Sequence, residues 1–588
     1  MIREDVAAGL GKKKCDAAVV GGELVNVLTG EIYKADVAIK GTKIVYVGDV
    51  SNYMGSKTKV IDAKGKHLIP GLIDGHVHPE SSLLSMTRFA ETVLPSGTTS
   101  IMSSLDEYAT VSGLSVIRYF LDEANKTPLK IFLVVPSRVP YVPWADTVGG
   151  YIGYKEVAKA LSWPESVGIW EATVDLVMKP DLELLKSIGE TIKRKQTVHG
   201  HAPMITGSLL AGYLAAGIRS DHESFSKEEA LEKLRSGLKV MLRDGSVIKQ
   251  VSTLIGFIKE NKAIDTRGVS VITDDVDVEE LVSGHMNSLV KRVVAEGIDP
   301  VKAVQMASLN TAEAYRVDHL VGSIAPGKIA DIVLTSDFKD FKADAVIANG
   351  KLVAKNGKLL ARLKPPARPR KIVQTMRLNR KITPELLEIR AKNPKALKAR
   401  VISMQVPPEA PIRFRREAEL DVKGGVVKPD TSSDVIYIAT VERYGKTNNI
   451  GKAFISGFGL KDGALASSMA HDNHNIVVMG ANTRDMAVAV NHVAKVGGAQ
   501  VAVRGGKVVD ELRLPLCGIA SDLPAEKLLE RVQSLNKTAQ SFGSGIKRPF
   551  MFLIFIPLAA IPEYAVTDQG FFDVKAQKFI NPVIEETF

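Results

Sequence analysis

Cysteine is nearly absent: Cys15 and Cys517 are the two in 588 residues. They cannot build a disulfide framework, which excludes a small stapled extracellular scaffold and suits a reducing cytoplasm. Long hydrophobic runs are missing too. The longest, "FMFLIFIPLAAI" at 550–561, is interrupted by Pro557. It is too short to cross a bilayer and reads as buried strands. The opening "MIREDVAAGLGKKKCD" has no apolar core of the kind a signal peptide needs. There is no tandem repeat and no sustained heptad pattern. Aromatic residues are missing from the densest basic stretch, "ARLKPPARPRKIVQTMRLNRK" at 361–381. The net charge of +11 therefore does not point to a nucleic-acid surface. The stretch reads as a solvated linker between two folded blocks.

What is present is an ordinary globular composition, 45% hydrophobic and 24% charged, in a chain too long for one core. From Asp16 to about Lys66, short β-like runs alternate with glycine turns, and a matching set recurs at 328–357. Two such blocks flanking a long middle section predict a composite β-sandwich domain from 1–66 plus 320–370. The middle, 67–319, alternates β-like runs with amphipathic helical stretches such as "PDLELLKSIGETIKRK" and "SKEEALEKLRSG". That alternation predicts an α/β fold, a parallel (β/α)₈ barrel. An open doubly wound sheet competes, but would carry a glycine-rich phosphate turn after its first strand. Here that strand ends in "GHVHPE". Residues 371–424 read as a connector with strands, and 425–588 as a C-terminal α+β domain.

Six of the eleven histidines fall near predicted barrel strand ends: His76, His78, His199, His201, His222 and His285. His76 and His78 are two apart, so on a strand both leave the same face and can grip one cation. Glu171, Asp274 and Asp275 occupy comparable strand ends. Strand C-termini of a barrel converge on one rim, where distant residues meet. Imidazoles with carboxylates suit Zn²⁺, Mn²⁺ or Fe²⁺, and the lack of thiolates argues against a closed structural zinc. Each residue also has a plainer reading: a core histidine, a salt-bridge partner, or, for "TDD" at 273–275, a helix cap.

The motifs as a set resemble the amidohydrolase superfamily and, within it, the adenine deaminases, over nearly the whole chain. "PGLIDGHVHPESS" at 70–82 looks like the first metal motif. "GHAP" at 200–203, "SDHESFSKEEALEKLRSGLKVMLRDGS" at 220–246, "TDD", and "GH" at 284–285 follow in the family's order. "GFGLKDGALASSMAHDNHNIVVMGAN" at 457–482 and "LPLCGIASDLP" at 514–524 extend the likeness into the C-terminal domain, and "AHDNHN" is its most family-specific block.

The resemblance implies hydrolytic deamination of adenine to hypoxanthine and ammonia with two divalent cations, Mn²⁺ foremost and Fe²⁺ or Zn²⁺ as alternatives. His76 and His78 would hold one cation, His201 and His222 the other, and Glu171 would bridge them where many relatives use a carboxylated lysine. Asp274 would bind metal and take the proton of the attacking water. Glu107 is the second catalytic expectation. Glu80, Ser81, Ser82, Arg243, Ser246 and His285 are expected at the substrate, with Asp244 beside them at the end of strand seven. His471, Asp472, His474 and Asn475 would reach over the barrel mouth to the purine; their alternative is a polar turn within their own domain. The expected setting is a cytoplasmic homodimer acting on a small molecule, with no nucleic acid and no membrane.

Five positions depart from the family pattern. Asp106 stands for histidine, His199 for an acid, Pro79 for an aliphatic residue, Arg138 for cysteine and Val276 for arginine. They bear on metal preference and on substrate. The alternatives are a related hydrolase of another aminated heterocycle or of a cyclic amide, the latter disfavoured by glutamate at 171, and a non-catalytic nucleobase-binding homologue.

Overall fold

The computed structural model describes residues 2–179 and 181–588. Eight parallel strands lie side by side in chain order. They are β1 (Leu72–Asp74), β2 (Thr98–Ser103), β3 (Lys130–Pro136), β4 (Ser166–Thr173), β5 (Thr197–His201), β6 (Ser220–Asp221), β7 (Lys239–Arg243) and β8 (Val269–Ile272). Every residue of β2 and β8 is buried, as parallel strands covered on both faces must be. The helices between them start where the sequence provides caps. Asp181 accepts from the Leu184 amide at the start of Leu182–Lys193, and Ser226 from the Glu229 amide at the start of Lys227–Arg235. Just beyond β1 and β8, Val77–His78 pairs in parallel with Asp274–Asp275, and the Asp274 amide donates to the His76 carbonyl at 2.8 Å. That pair shuts the ring, giving a (β/α)₈ barrel.

The composite domain holds a four-stranded sheet from 17–62 and a seven-stranded sheet that interleaves 23–34 and 67–70 with 332–359. Their inner faces share one core of Val19, Leu24, Ile39, Ile332 and Ile347. His67–Pro70 belongs to this sandwich, so the barrel begins after Gly71 rather than at residue 67. At Gly71 the chain passes so close to its neighbours that a Cβ would lie 2.2 Å from Thr99 Oγ1.

In the C-terminal part, Lys398–Gln405 and Phe414–Lys423 are members of the same ten-stranded sheet that continues to Lys507–Arg513. They are therefore not a separate connector. The helix Thr483–Val496 covers one face of the sheet through Met486, Val490 and Val493. The run at 550–561, expected as strands, forms the short helix Pro549–Leu553 followed by turns. Proline at the helix start and no polar alternation let docking, not period, decide its form.

The basic 361–381 stretch is a strap rather than a free linker. Arg368 is mostly buried and pairs with Glu123 of the barrel and Asp522 of the C-terminal part. A further apolar core runs continuously from barrel residues such as Leu84 and Tyr108 to Leu516 and Ile519.

Candidate active site

The His76 and His78 Nε2 atoms are 3.3 Å apart. Glu171 Oε1, at the end of β4, is 3.5 and 3.7 Å from them, and Asp274 Oδ1 is 3.7 and 3.5 Å away. Ligands around a tetrahedral ion with bonds of about 2.1 Å are roughly 3.4 Å apart, so the His76, His78 and Asp274 atoms fit one cation, while Glu171 groups with His76 and His222. Glu171 and Asp274 both hold left-handed backbone, φ 53° and 61°. Such strain in non-glycine residues persists where surrounding structure fixes a side chain for a purpose. Trp170 stacks on the His76 ring at 4.0 Å and sets its plane.

The second group is less tight. His222 Nε2 is 3.9 Å from the same Glu171 Oε1 and 3.6 Å from Glu223 Oε1, and His201 Nδ1 is 3.9 Å from Glu223 Oε1. His201 Nδ1 is a buried atom with no hydrogen-bond partner, as a ligand nitrogen awaiting a cation would be. Burial, then the neighbouring His76 and His201, hold His222 well below the usual imidazole range, leaving it neutral. Beneath both loops sits fully buried Lys233. Its ammonium donates to Asp221 at 2.7 Å, to Glu229 at 2.6 Å, and to the carbonyls of Ala202 and Glu223. One cation thus pins the turns that carry His201 and His222.

Arg243, from β7, makes a two-pronged pair with Glu223 and donates to Asp274 Oδ2 at 2.7 Å. Burial opposes ionisation of Asp274, but Arg243 together with His76 and His78 outweighs it and keeps the carboxyl below its usual range.

Above the ring, the C-terminal part reaches in. Glu107, which follows β2, accepts from His471 Nδ1 at 2.6 Å and is also met by His474 Nε2. Burial resists ionising Glu107, yet these two imidazoles hold its carboxyl far below the usual range. Burial likewise opposes charging His471, but Glu107, with Asp275 behind it, carries that imidazole up to about 10. A cavity of about 310 Å³ lies between ring and cap. His78, Glu107, Glu171, His201, His222, Arg243, Asp274, His471 and Asp472 line it, under an apolar ceiling of Pro411, Ile412, Phe555, Leu558 and Ile561.

The remaining expected residues lie outside that lining. Glu80 is fully buried with both carboxylate oxygens unpartnered; burial, then Asp106, pushes its carboxyl well above the usual range. Ser81 donates to Asp275 at 2.5 Å, and Ser82 closes its own turn on the Pro79 carbonyl. Ser246 accepts from the Asp277 amide, and Asp244 pairs with Arg292. His285 sits behind β1, bonded to Thr98 and 3.1 Å from Asp74, the residue that also accepts from the His76 amide. His474 stands behind Glu107. Asn475 donates to the Thr147 carbonyl, a tie between cap and barrel rather than a wall.

Among the departures, Asp106 lines the cavity with an oxygen 3.3 Å from His78 Nδ1. His199 is a core histidine, bonded to Ser220 and Thr197 and stacked on Tyr315. Arg138 pairs with Asp181, Pro79 opens the turn 79–82, and Val276 is buried among apolar neighbours. Sequence reasoning missed Glu223, Trp170, Lys233 and the ceiling. Glu223 had a visible signal, its place beside His222; the others depend on contacts far apart in the chain.

A barrel whose rim gathers imidazoles and carboxylates around a cavity is the arrangement of a metal-dependent hydrolase, and residues 67–353 match the amidohydrolase family model. Residues 412–578 match the adenine deaminase C-terminal domain. Adenine deaminase 4 of Rhizobium meliloti (strain 1021) is 42% identical over 99% of this chain and 97% of that protein. Adenine deaminase 1 of Desulfotalea psychrophila is 42% identical over 99% and 98%. The chain belongs to the adenine deaminase family. Among solved structures, a beta-aspartyl dipeptidase from Fervidobacterium islandicum AW-1 overlaps 59% of this chain and 98% of that one, at 17% identity and a TM-score of 0.47.

Proposed function

We propose that this chain hydrolyses adenine to hypoxanthine and ammonia, in purine salvage or catabolism, using two divalent cations. The observation that carries the reading is the convergence of His76, His78, Glu171, His201, His222 and Asp274 beneath a cap of the adenine-deaminase type. Every donor is imidazole or carboxylate, which suits Mn²⁺, Fe²⁺ or Zn²⁺ alike, and we take Mn²⁺ first on the family resemblance. When bound, the cations supply a water acidified toward a pKa of ~7 and charge to steady the incoming oxygen. Asp274, braced by Arg243, takes the proton of the water that adds to C6 and hands it to the departing amino group. The apolar ceiling excludes bulk water and faces a flat ring.

Two free buried cysteines support a cytoplasmic setting, and we take the working assembly to be a homodimer. No helix among the described residues is long and apolar enough to cross a membrane.

The test is ammonia and hypoxanthine release by Mn²⁺-loaded protein, with elemental analysis of the same sample. Two cations per chain with turnover are expected, and Asp274→Asn should lose at least about 10³-fold in kcat. A fully loaded protein that leaves adenine untouched would sink the proposal. One observation favours a second reading, another aminated heterocycle as substrate. Asp106 presents a carboxylate to the cavity where the family pattern has histidine. A panel in which adenine is inert and another such ring reacts would establish it.

A further inference from the structure

Glu107 is fully committed. Both of its oxygens face histidines of the C-terminal part, His471 and His474, and it is only 2% exposed. The hydrogen positions follow from the partners. His474 Nδ1 accepts the Ala470 amide at 3.1 Å, so its hydrogen sits on Nε2, the nitrogen that lies against Glu107 Oε2. His471 Nδ1 faces a carboxylate that can only accept, so it also carries a hydrogen; set between Glu107 at Nδ1 and Asp275 3.9 Å from Nε2, the ring is held as an imidazolium and its second hydrogen is on Nε2. A carboxylate bound on both sides has no oxygen left for a substrate.

His471 has one nitrogen in reserve. Its Nε2 is buried without a hydrogen-bond partner, the residue lines the cavity, and Asp275 Oδ1 is 3.9 Å away. Stacking on Phe555, with centroids 4.6 Å apart and planes within 21°, fixes the direction in which that nitrogen points. A buried polar atom that a rigid frame holds at a cavity wall is completed by a ligand or by water.

We infer that His471 Nε2–H donates a hydrogen bond to a ring nitrogen of the bound heterocycle, and that Glu107 is a positioning residue that acts through His471. The inference rests on the deamination reading, because it needs a nitrogen heterocycle in the cavity. It divides the labour between the two parts of the chain: the barrel holds the water and its proton acceptor, and the cap recognises a ring nitrogen. A site built around such a donor rejects an otherwise identical ring with C–H in place of N, because the donor is then left buried and unpaired.

The experiment measures binding, by calorimetry, and turnover of adenine and of 1-deaza-, 3-deaza- and 7-deazaadenine by the full Mn²⁺-loaded chain. Wild type is compared with His471→Asn, whose amide reaches the Nδ1 position, and His471→Gln, whose amide reaches the Nε2 position. Wild type should penalise one of the three analogues by about 10–100-fold relative to adenine, the worth of a hydrogen bond to a charged donor. His471→Asn should erase that penalty by weakening adenine alone, and His471→Gln should keep part of it. Glu107→Gln should shrink the same penalty, and the double variant Glu107→Gln/His471→Asn should be no worse than His471→Asn. Elemental analysis and thermal melting establish that each variant is folded and loaded.

Equal weakening of adenine and all three analogues, or a wild type that tolerates all three, would overturn the inference. Absence of turnover with the analogue penalty intact would strike the deamination reading and leave His471 standing. Turnover without any penalty would strike His471 alone.

Discussion

Of the places that set a pair of histidines against one glutamate, two contrast most clearly. On the barrel rim, His76 and His78 face Glu171 at 3.5 and 3.7 Å. At the cap, His471 and His474 face Glu107, the first at 2.6 Å. The residue types are the same and the spacing is not. Gaps of 3.5–3.7 Å are too long for good hydrogen bonds and leave room for a shared ion. A gap of 2.6 Å is a charge-assisted hydrogen bond with nothing between the partners. Distance, not composition, separates a cation cage from a clamp that aims a side chain.

The largest expected effect breaks that comparison directly. Glu171→Gln should drop the cation count from two toward one and cost at least about 10³-fold in kcat. Glu107→Gln should keep both cations and lose about 10²-fold in kcat/KM. Elemental analysis of the two purified variants is the check. If Glu107→Gln sheds metal as Glu171→Gln does, the clamp is a cage after all.

A smaller effect tests whether the cap is held as firmly as the rim. Buried Arg413 donates to the carbonyls of Phe555, Leu558, Ile561 and Tyr564 at 2.5–2.8 Å, and so shapes the ceiling. Arg413→Lys cannot reproduce the planar fork. It should raise KM for adenine about 5–10-fold while changing kcat less than about 3-fold, in steady-state kinetics at full cation loading.

The smallest concerns how the cap docks. Asp146, in the loop after β3, accepts from Asn473 of the cap at 2.7 Å. Burial pushes its carboxyl up to about 8, against the Asn473 hydrogen bond and with Asp568 adding. The folded value exceeds the unfolded one, so this contribution is whole below about pH 4 and is lost as pH rises through about 8. Asn at 146 does not titrate. The melting temperature of Asp146→Asn should therefore gain roughly 2–4 °C on wild type between pH 6 and pH 9. Parallel melting curves across that range would mean that the buried carboxyl does not titrate there.

The rim was legible in the sequence because the chemistry leaves a local trace. A His-X-His pair on a strand extension needs no tertiary information to place both rings on one face. The cap's aim was half legible: "AHDNHN" marked the block, but only the fold brings His471 across 364 positions to Glu107. The ceiling was not legible. An apolar run without polar alternation, such as 550–561, fits strand or helix equally, and the barrel mouth it covers decides between them. His285 differs for the opposite reason: a histidine beside a glycine at a strand-end motif reads as a substrate contact, yet Asp74 and Thr98 occupy it behind β1. Lys233 carried no signal at all, since a lysine inside "EEALEKLR" reads as a solvated helix face.

The seam of the barrel is the short pairing of Val77–His78 with Asp274–Asp275. The residues that zip the first strand to the last are thus the ones that offer His76, His78 and Asp274 to a cation. An ion held there works like the pin of a clasp, and the energy that binds it is also energy that keeps the hoop from springing open. Hydrogen exchange at 72–78 and 269–275 would then read out how full the site is, with no substrate present.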